Sequence, residues 1–380
     1  MNPSEFVDLL QRNGITFFTG VPDSLLSSLS AHVTAHVVPE RHVIAANEGG
    51  ALAVAAGVHL ATGRMACVYM QNSGQGNAVN PLCSLCDPEV YGIPVLLVIG
   101  WRGQPGVHDE PQHVKQGRVT LALNTTLEVP TVVADVHASP VEQEQAIKAL
   151  IQRGQRESRP VALVVPKGFF EAGAPWHPHN AHVLVREAVI ERILAHFAEA
   201  AIVSTTGKIS RELYELRERC GQTHERDFLT VGSMGHAGSL ALGVSLARPG
   251  LRVLCLDGDG AALMHMGALA ISGVRAGRRF FHIVLNNEAH ESVGGQPTVA
   301  GRIDLSRVAA ACGYRVLPPV REQARLDDSL QALAASHGPA FLDVFVSLAS
   351  RSDLGRPRET PAENKALFIS YIQDDAHDGA

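Results

Sequence analysis

The sequence predicts an α/β protein made of two doubly wound parallel-sheet domains, and three observations support this prediction. Short apolar runs typical of buried strands alternate with helical patterns along the chain, as in successive βαβ units. A segment rich in Pro, Gly and His, residues 167–184, interrupts the alternation and has no hydrophobic period. The 380 residues also suffice for two domains that each bury a core.

Helix and strand signals follow one another through the first predicted domain, residues 1–170. A helix begins the chain, since Asn2 suits the cap, Pro3 the first helical position and Glu5 the third. Six apolar runs are the predicted strands: Ile15–Val21, His42–Ala46, Met65–Met70, Val95–Trp101, Thr131–Val136 and Val161–Val165. Because helical patterns separate these strands, we expect them to pair in parallel.

The same alternation returns after a linker that we place at residues 171–184. A helix over 185–198 opens the second domain, residues 185–350. Its predicted strands are Ala201–Thr205, Phe228–Val231, Val253–Leu256, Phe281–Leu285 and Phe341–Val346. Residues 351–380 form a polar tail with a short amphipathic piece, and we expect residues 374–380 to be disordered.

The composition excludes several classes of protein. Hydrophobic residues make up 46% and charged residues 18%, which is typical of a globular chain. The net charge of −6 offers no basic footprint for nucleic acid or an anionic membrane. The sequence has neither a signal-peptide pattern nor an apolar run of spanning length, so we expect a cytoplasmic protein. Among six cysteines only Cys83 and Cys86 have CxxC spacing, without the second pair that a zinc site needs.

Polar residues follow two neighbouring strands of the second domain. Asp259 comes just after the run Val253–Leu256, and Asn287 ends the next strand. Carboxyl ends of parallel strands meet at one edge of a sheet, where open α/β sheets bind ligands. The two side chains offer oxygen ligands suited to Mg²⁺, and Gly258 and Gly260 let backbone N–H groups approach a phosphate. A plain strand-to-helix turn is the alternative for Gly258–Gly260 alone.

Glu48 lies between a strand and a helix that is rich in Ala and Gly, in the stretch AANEGGALAVAAG. A carboxylate among such neighbours is poorly solvated, which raises its pKa and favours the protonated form. The alternative is an ordinary surface Glu in a first helical turn. The local pattern alone favours that surface glutamate, and only together with the Asp259 and Asn287 motifs does Glu48 become a candidate acid.

Three loops after strands of the first domain carry polar side chains where a substrate would bind. The loops GVPDS and QNSGQGN provide Asp23, Ser24, Asn72 and Ser73. The long polar loop Trp101–Gly117 provides Arg102, His108, His113 and Lys115. Cationic groups there suit an anionic substrate, whereas the alternative is a solvated loop with incidental charge.

Two glycine-containing loops of the second domain suit backbone contacts with a cofactor. The segment Gly232–Gly238 follows one strand, and Gly207 lies in STTGK after another. Residues in the first loop include Ser233 and Met234, and a core methionine is the alternative for the latter.

The motif GDG at 258–260 is followed, after 25 intervening residues, by NN at 286–287, and this combination resembles the signature of thiamine diphosphate enzymes. The blocks GVPDSLL, ANEG, QNSG, GWRG, VHDEPQH, STTGK, GSMGHA, LDGDGAALMHMGALA and SVGGQPT resemble the phosphonopyruvate decarboxylase family over roughly residues 15–365. The resemblance implies a thiamine diphosphate-binding fold with a pyrimidine-type domain, then a diphosphate-type domain, and no middle domain.

The resemblance also implies roles for particular residues. Asp259, Asn287 and the backbone carbonyl of Ala289 would hold Mg²⁺. Glu48 would protonate the aminopyrimidine ring so that its imino group can deprotonate the thiazolium carbon, and Met234 would hold the cofactor bent. The other expected cofactor contacts are Gly207, Gly232, Ser233, Gly258, Gly260 and Ala261.

The implied reaction is the decarboxylation of 3-phosphonopyruvate to phosphonoacetaldehyde and CO₂ by a carboxy-lyase of phosphonate and antibiotic biosynthesis. His113 is the expected further catalytic residue, and His290 is a second candidate for the later proton donor. Substrate contacts are expected from Asp23, Ser24, Asn72, Ser73, Arg102, His113 and Lys115. The resemblance further implies a homo-oligomer, at least a dimer, with sites between subunits.

Several alternatives stay open at this stage. Sulfopyruvate decarboxylase shares the cofactor and an anionic 2-oxo acid substrate, and a carboligase or a non-catalytic cofactor-binding protein is less favoured. A Rossmann dehydrogenase needs G-x-G-x-x-G, and Gly74 and Gly76 provide only G-x-G. Two positions depart from the family pattern, since Glu288 stands where Gly is frequent and Glu291 where Asp is frequent.

Overall fold

The computed structural model describes residues 1–173, 178–348 and 350–373. These residues form two compact α/β units. One contains the described residues before Pro178 together with Ser292–Gln296, and the other contains Pro178–Glu291 and the described residues from Pro297 on. Residues 374–380, for which disorder is expected, and residues 174–177 of the predicted linker lie outside the described part.

The first unit is built on a six-stranded parallel sheet of order β2-β1-β3-β4-β6-β5. Its elements are α1 (Pro3–Arg12), β1 (Phe18–Gly20), α2 (Ser27–His36), β2 (His42–Ile44), α3 (Glu48–Thr62), β3 (Ala66–Gln71), α4 (Gln75–Pro81), β4 (Val95–Gly100), α5 (Pro111–Thr126), β5 (Thr131–Val133), α6 (Pro140–Glu157) and β6 (Val161–Val165). The side chain of Asn2 caps α1 by accepting the Ser4 N–H at 2.9 Å, as predicted.

Both faces of this sheet are buried, which explains why its central strands are almost continuously apolar. On β3, Cys67 and Tyr69 join one core cluster, whereas Val68 and Met70 join a second cluster on the opposite face. Successive strand residues point to opposite faces, so the two clusters alternate along the strand. The strand ends are therefore where polar groups can be presented.

The second unit contains another six-stranded parallel sheet, of order β13-β14-β10-β9-β7-β8. Its elements are α7 (Arg186–His196), β7 (Ala201–Ser204), α8 (Lys208–Arg219), β8 (Asp227–Leu229), α9 (Ala237–Ala247), β9 (Val253–Gly258), α10 (Asp259–Met264), α11 (Gly267–Arg275), β10 (Phe280–Asn286), the short strands β11 (Ala289–His290) and β12 (Gln296–Pro297), α12 (Leu305–Ala311), β13 (Arg315–Val316), α13 (Gln323–Ala335), β14 (Ala340–Phe345) and α14 (Pro361–Ile372).

The fold class predicted from the sequence is confirmed, with two corrections of detail. The two-residue strand β13 is too short to give a hydrophobic period and was not predicted. The second unit also extends beyond residue 350, its predicted end. The α14 side chain of Asn364 donates to the Asp227 carbonyl at 2.8 Å, and Phe368 is buried in a core cluster of this unit. None of the described helices combines the length and apolar character that crossing a membrane requires.

Candidate active site

In the first unit, β1, β3 and β4 are adjacent, and the loops that follow them carry a connected group of polar side chains. Asp23 is fully buried after β1. The Gln71 amide at the end of β3 donates to its Oδ1 at 2.6 Å, and Ser73 donates to Gln71 at 2.7 Å. Burial raises the pKa of Asp23, while Gln71 and the nearby Arg102 oppose that increase. A hydrogen-bonded chain thus links the ends of two strands.

Arg102 extends this group to the end of β4. Its Nη1 donates to Ser24 Oγ at 2.7 Å, and its guanidinium forms a two-pronged ion pair with Asp109, in which Nε and Oδ2 are 2.8 Å apart. The hydrogen bonds from Arg102 hold the pKa of Asp109 well below its usual range. The cation expected to face an anionic substrate is therefore paired with a carboxylate from its own loop.

The remaining candidates of this unit differ in how they are placed. Buried Asn72 donates to the Arg102 carbonyl at 2.8 Å and to Thr120 at 2.9 Å, so it fits a support for Arg102 better than the substrate contact expected from the sequence. His113 is buried on α5, and its Nδ1 has no hydrogen-bond partner among the described residues. Desolvation and Arg102 lower the pKa of His113. Lys115 is exposed on the same helix.

Glu48 is the first residue of α3, and its side chain is only 4% exposed. The Asn77 amide donates to Glu48 Oε2 at 2.7 Å, and burial raises the pKa of Glu48 above its ordinary value despite that bond. Gly74 packs directly against the carboxyl group, since a Cβ there would lie 2.2 Å from Oε1. The carboxyl is therefore buried, as the sequence suggested, and its position depends on a glycine.

In the second unit, the structure brings together the two polar strand ends that the sequence singled out. Asp259 begins α10 directly after β9 and is 2% exposed. Thr298 Oγ1 and the backbone N–H groups of Asn287 and Gly260 donate to its carboxyl group. Burial nevertheless raises the pKa of Asp259 to about 7. The opposing groups are a hydroxyl and backbone amides rather than a cation, so this site fits an added divalent cation.

Asn287 lies immediately after β10, beside Asp259, and its amide makes two contacts. Its Nδ2 donates to Glu291 Oε2 at 2.9 Å, and its Oδ1 accepts the Ala289 N–H at 3.2 Å. Asp259 and Asn287 thus provide a carboxylate and an amide oxygen at one point of the sheet edge. Both belong to the hard oxygen ligands that Mg²⁺ prefers.

Glu288 has a left-handed backbone conformation, with φ of 60°. Glycine adopts that conformation without strain, which is a physical reason for the small residue, often Gly, that the resemblance leads us to expect here. The Glu288 side chain folds toward His182, with Oε1 3.0 Å from Nε2, and packs so closely on Gly301 that a Cβ there would lie 2.9 Å from its carboxyl carbon.

Two further loops meet the start of α10. The Gly232 N–H donates to Thr206 Oγ1 at 3.0 Å, which joins the loop after β8 to the loop after β7 that contains Gly207. A Cβ on Gly260 would lie 3.4 Å from the Met234 methyl and 3.2 Å from the His290 ring. Desolvation lowers the pKa of His290 to about 4, so its imidazole is neutral at neutral pH. Two other residues predicted to contact a cofactor lie nearby in sequence: Ser233 has a left-handed backbone with φ of 47°, and Ala261 is buried in α10.

Charged residues that the sequence analysis did not select support these loops. Arg186 is buried and forms a two-pronged ion pair with Glu212, with both N–O distances 2.7 Å. Arg186 also donates to Glu291, and Lys208 Nζ donates to Glu291 at 2.9 Å. Burial raises the pKa of Glu291, but Arg186 and Lys208 outweigh burial and the pKa lies below its ordinary value. Nothing in their local sequence indicates these contacts.

Comparison with known proteins assigns both units. The model "Thiamine pyrophosphate enzyme, N-terminal TPP binding domain" matches residues 4–123, and the corresponding C-terminal TPP binding domain matches residues 206–344. Phosphonopyruvate decarboxylase of Streptomyces viridochromogenes is 38% identical over 374 residues, which cover 94% of this chain and 92% of the relative. That of Streptomyces hygroscopicus is 38% identical over 380 residues, covering 95% and 91%. Sulfopyruvate decarboxylase of Methanosarcina acetivorans is 26% identical over 371 residues, covering 91% and 92%.

Proposed function

Because the chain belongs to the phosphonopyruvate decarboxylase family of thiamine pyrophosphate enzymes, we propose that it converts 3-phosphonopyruvate to phosphonoacetaldehyde and CO₂ with thiamine diphosphate and Mg²⁺. The observation that carries the proposal is the 38% identity to two phosphonopyruvate decarboxylases over nearly the whole chain, against 26% to the sulfopyruvate enzyme. We place the reaction in phosphonate natural-product biosynthesis, such as an antibiotic pathway.

In the first unit we assign Glu48 as the acid that contacts the aminopyrimidine ring. Its support is burial, the hydrogen bond from Asn77 and the raised pKa. The raised pKa favours the protonated carboxyl, which can share its proton with a ring nitrogen. The Glu48 carboxyl occupies the space that a side chain at residue 74 would fill, so its position depends on Gly74.

In the second unit we assign the Mg²⁺ ligands as Asp259, Asn287 and the backbone carbonyl of Ala289. The support is the oxygen donor set and the burial of a carboxylate whose donors are uncharged. The diphosphate and thiazolium contacts are assigned to the surrounding loops, through Gly207, Gly232, Ser233, Met234, Gly258, Gly260 and Ala261. When bound, thiamine diphosphate supplies an electron sink for the electrons released as CO₂ leaves.

For the substrate we assign the phosphonate to Arg102 and Ser24, with Asp23, Ser73, His113 and Lys115 nearby in the first unit. The planar guanidinium matches phosphonate oxygens in a two-pronged geometry. Asp109 occupies that geometry on Arg102, so we propose that the phosphonate replaces Asp109 when substrate binds. His113 has a lowered pKa and an Nδ1 to which no described residue is hydrogen-bonded, so it suits a neutral imidazole that relays a proton.

Sulfopyruvate is the second candidate substrate, because a sulfonate differs from a phosphonate chiefly in carrying less charge. The test compares CO₂ release from phosphonopyruvate, sulfopyruvate and pyruvate at matched concentrations, with thiamine diphosphate and Mg²⁺ and with each omitted. The proposal requires cofactor-dependent turnover with the highest kcat/KM for phosphonopyruvate. A preference for sulfopyruvate would change the substrate, and turnover with none of the three would refute the assignment as a decarboxylase.

We further propose a homo-oligomer, at least a dimer, in which each site takes Glu48 from one subunit and Asp259 from another. We also propose a cytoplasmic location. All six cysteines are free thiols, as in proteins of reducing compartments, which supports that location. No nucleic-acid or membrane partner is part of the proposal.

A further inference from the structure

The orientation of the Asn287 amide determines whether it can bind a cation. Its oxygen is a ligand for Mg²⁺ and its NH₂ group is not, although the two ends have nearly the same size. Packing alone therefore does not select the productive orientation. Two hydrogen bonds can do so: one from the Ala289 N–H to Oδ1, at 3.2 Å, and one from the NH₂ group to an acceptor.

Glu291 provides the acceptor for the NH₂ group of Asn287. Its Oε2 accepts from Asn287 Nδ2 at 2.9 Å, which turns Oδ1 to the opposite side of the amide plane. A carboxylate is an acceptor only, so it cannot stabilise the reversed orientation, in which Oδ1 would face it. The Glu291 side chain thus favours the orientation of the Asn287 amide in which Oδ1 points away from Glu291.

Glu291 is itself held by two cations from different elements. Arg186 at the start of α7 donates to its Oε2, and Lys208 at the start of α8 donates to its Oε1 at 2.9 Å. Arg186 is fixed in turn by Glu212 on α8, and Lys208 also donates to Ser350 Oγ at 2.7 Å. The two cations balance the two carboxylates, and the Arg186–Glu212 pair within this network is buried.

Lys208 directly follows Gly207, which the proposed function assigns to the cofactor. The same carboxylate therefore connects the loop after β7 to Asn287 at the end of β10. We infer that Glu291 is a positioning residue, which orients Asn287 for the metal and couples the metal ligand to the Gly207 loop. This inference rests on the proposed function for the identity of the metal ligands.

The test measures metal binding directly. Mn²⁺, which accepts the same oxygen ligands as Mg²⁺, is titrated into the metal-free full-length protein at saturating thiamine diphosphate, and free Mn²⁺ is followed by its EPR signal. Glu291→Ala should raise the Mn²⁺ dissociation constant about 10- to 100-fold, the usual effect of removing a group that orients a metal ligand. Asp227→Asn is the matched control, because it disrupts another buried Arg–carboxylate pair, with Arg217, in the same unit.

A second variant keeps the test decisive if Glu291→Ala lowers stability. In Glu291→Gln the side chain keeps its size and one oxygen that can still accept from Asn287 Nδ2, while it loses the charge that faces Lys208. This variant should raise the Mn²⁺ dissociation constant less than Glu291→Ala does. An unchanged dissociation constant in Glu291→Ala, or an equal loss in Asp227→Asn, would overturn the inference. Wild-type protein whose Mn²⁺ binding depends on Glu291 in this way, but which releases no CO₂, would overturn the proposed reaction instead.

Discussion

Gly74→Ala tests how strictly the position of the Glu48 carboxyl is set. A Cβ at residue 74 would lie 2.2 Å from Glu48 Oε1 and 2.3 Å from its carboxyl carbon. Ordinary contacts begin near 3.4 Å, so the carboxyl must move by roughly 1 Å. A displacement of about 1 Å in a catalytic group can reduce the rate by about 100-fold. We therefore expect kcat for CO₂ release to fall by about that factor.

Gly76→Ala is the matched control, because it adds the same methyl group to the same loop region. A Cβ at position 76 would meet no atom within 4 Å among the described residues, apart from its chain neighbours and the backbone of its own helix, and this glycine is exposed in α4. We expect unchanged kcat and a small gain in stability, up to about 1 kcal/mol from helix propensity. Both variants should retain their circular dichroism spectra. A Gly74→Ala protein with wild-type kcat would refute the claim that the Glu48 position matters.

Three further predictions concern the shared site, the pH dependence and Arg102. Glu48→Ala and Asp259→Ala should each be inactive, but subunits mixed by refolding should recover about a quarter of wild-type CO₂ release if sites join two chains of a dimer; no recovery would contradict that arrangement. The pKa of Asp259 is raised to about 7, so its carboxyl keeps a proton in the folded state at pH values above about 3.8, where the same carboxyl loses its proton in the unfolded chain. The free energy of unfolding should therefore fall as pH rises from about 4 to 7, and Asp259→Asn should reduce this slope in urea titrations without metal. Asp109→Asn weakens the competitor for Arg102 and should lower KM for phosphonopyruvate, whereas a raised KM would show that Asp109 orients Arg102 for the substrate.

The sequence was sufficient to predict the fold and the proximity of Asp259 to Asn287. Both depend on a regular rule, since parallel strands place their carboxyl ends at one edge of a sheet. The position of Glu48 between a strand and an apolar helix was compatible with a buried carboxyl group, but its selection as an acid also relied on the Asp259 and Asn287 motifs. These features depend on short stretches of chain and on a repeated architecture.

The partners of those residues could not be predicted, because they come from distant parts of the chain. Arg186 lies 105 residues from Glu291, and no local pattern indicates that they meet. The pairing of Arg102 with Asp109 depends on how one irregular loop turns, which hydrophobic periodicity does not describe. Asn77 and Thr298 lie inside recognised motifs, but only the folded loops bring them to Glu48 and Asp259.

The central claim is the conversion of phosphonopyruvate to phosphonoacetaldehyde, and phosphorus NMR follows both compounds in one sample. With purified protein, thiamine diphosphate and Mg²⁺, the phosphonopyruvate resonance should disappear and the phosphonoacetaldehyde resonance should appear. The CO₂ released should equal the phosphonopyruvate consumed. Removing either cofactor or changing Glu48 to Gln should stop the conversion. Phosphonopyruvate that persists with the intact holoenzyme, or product that forms equally without thiamine diphosphate, would contradict the account.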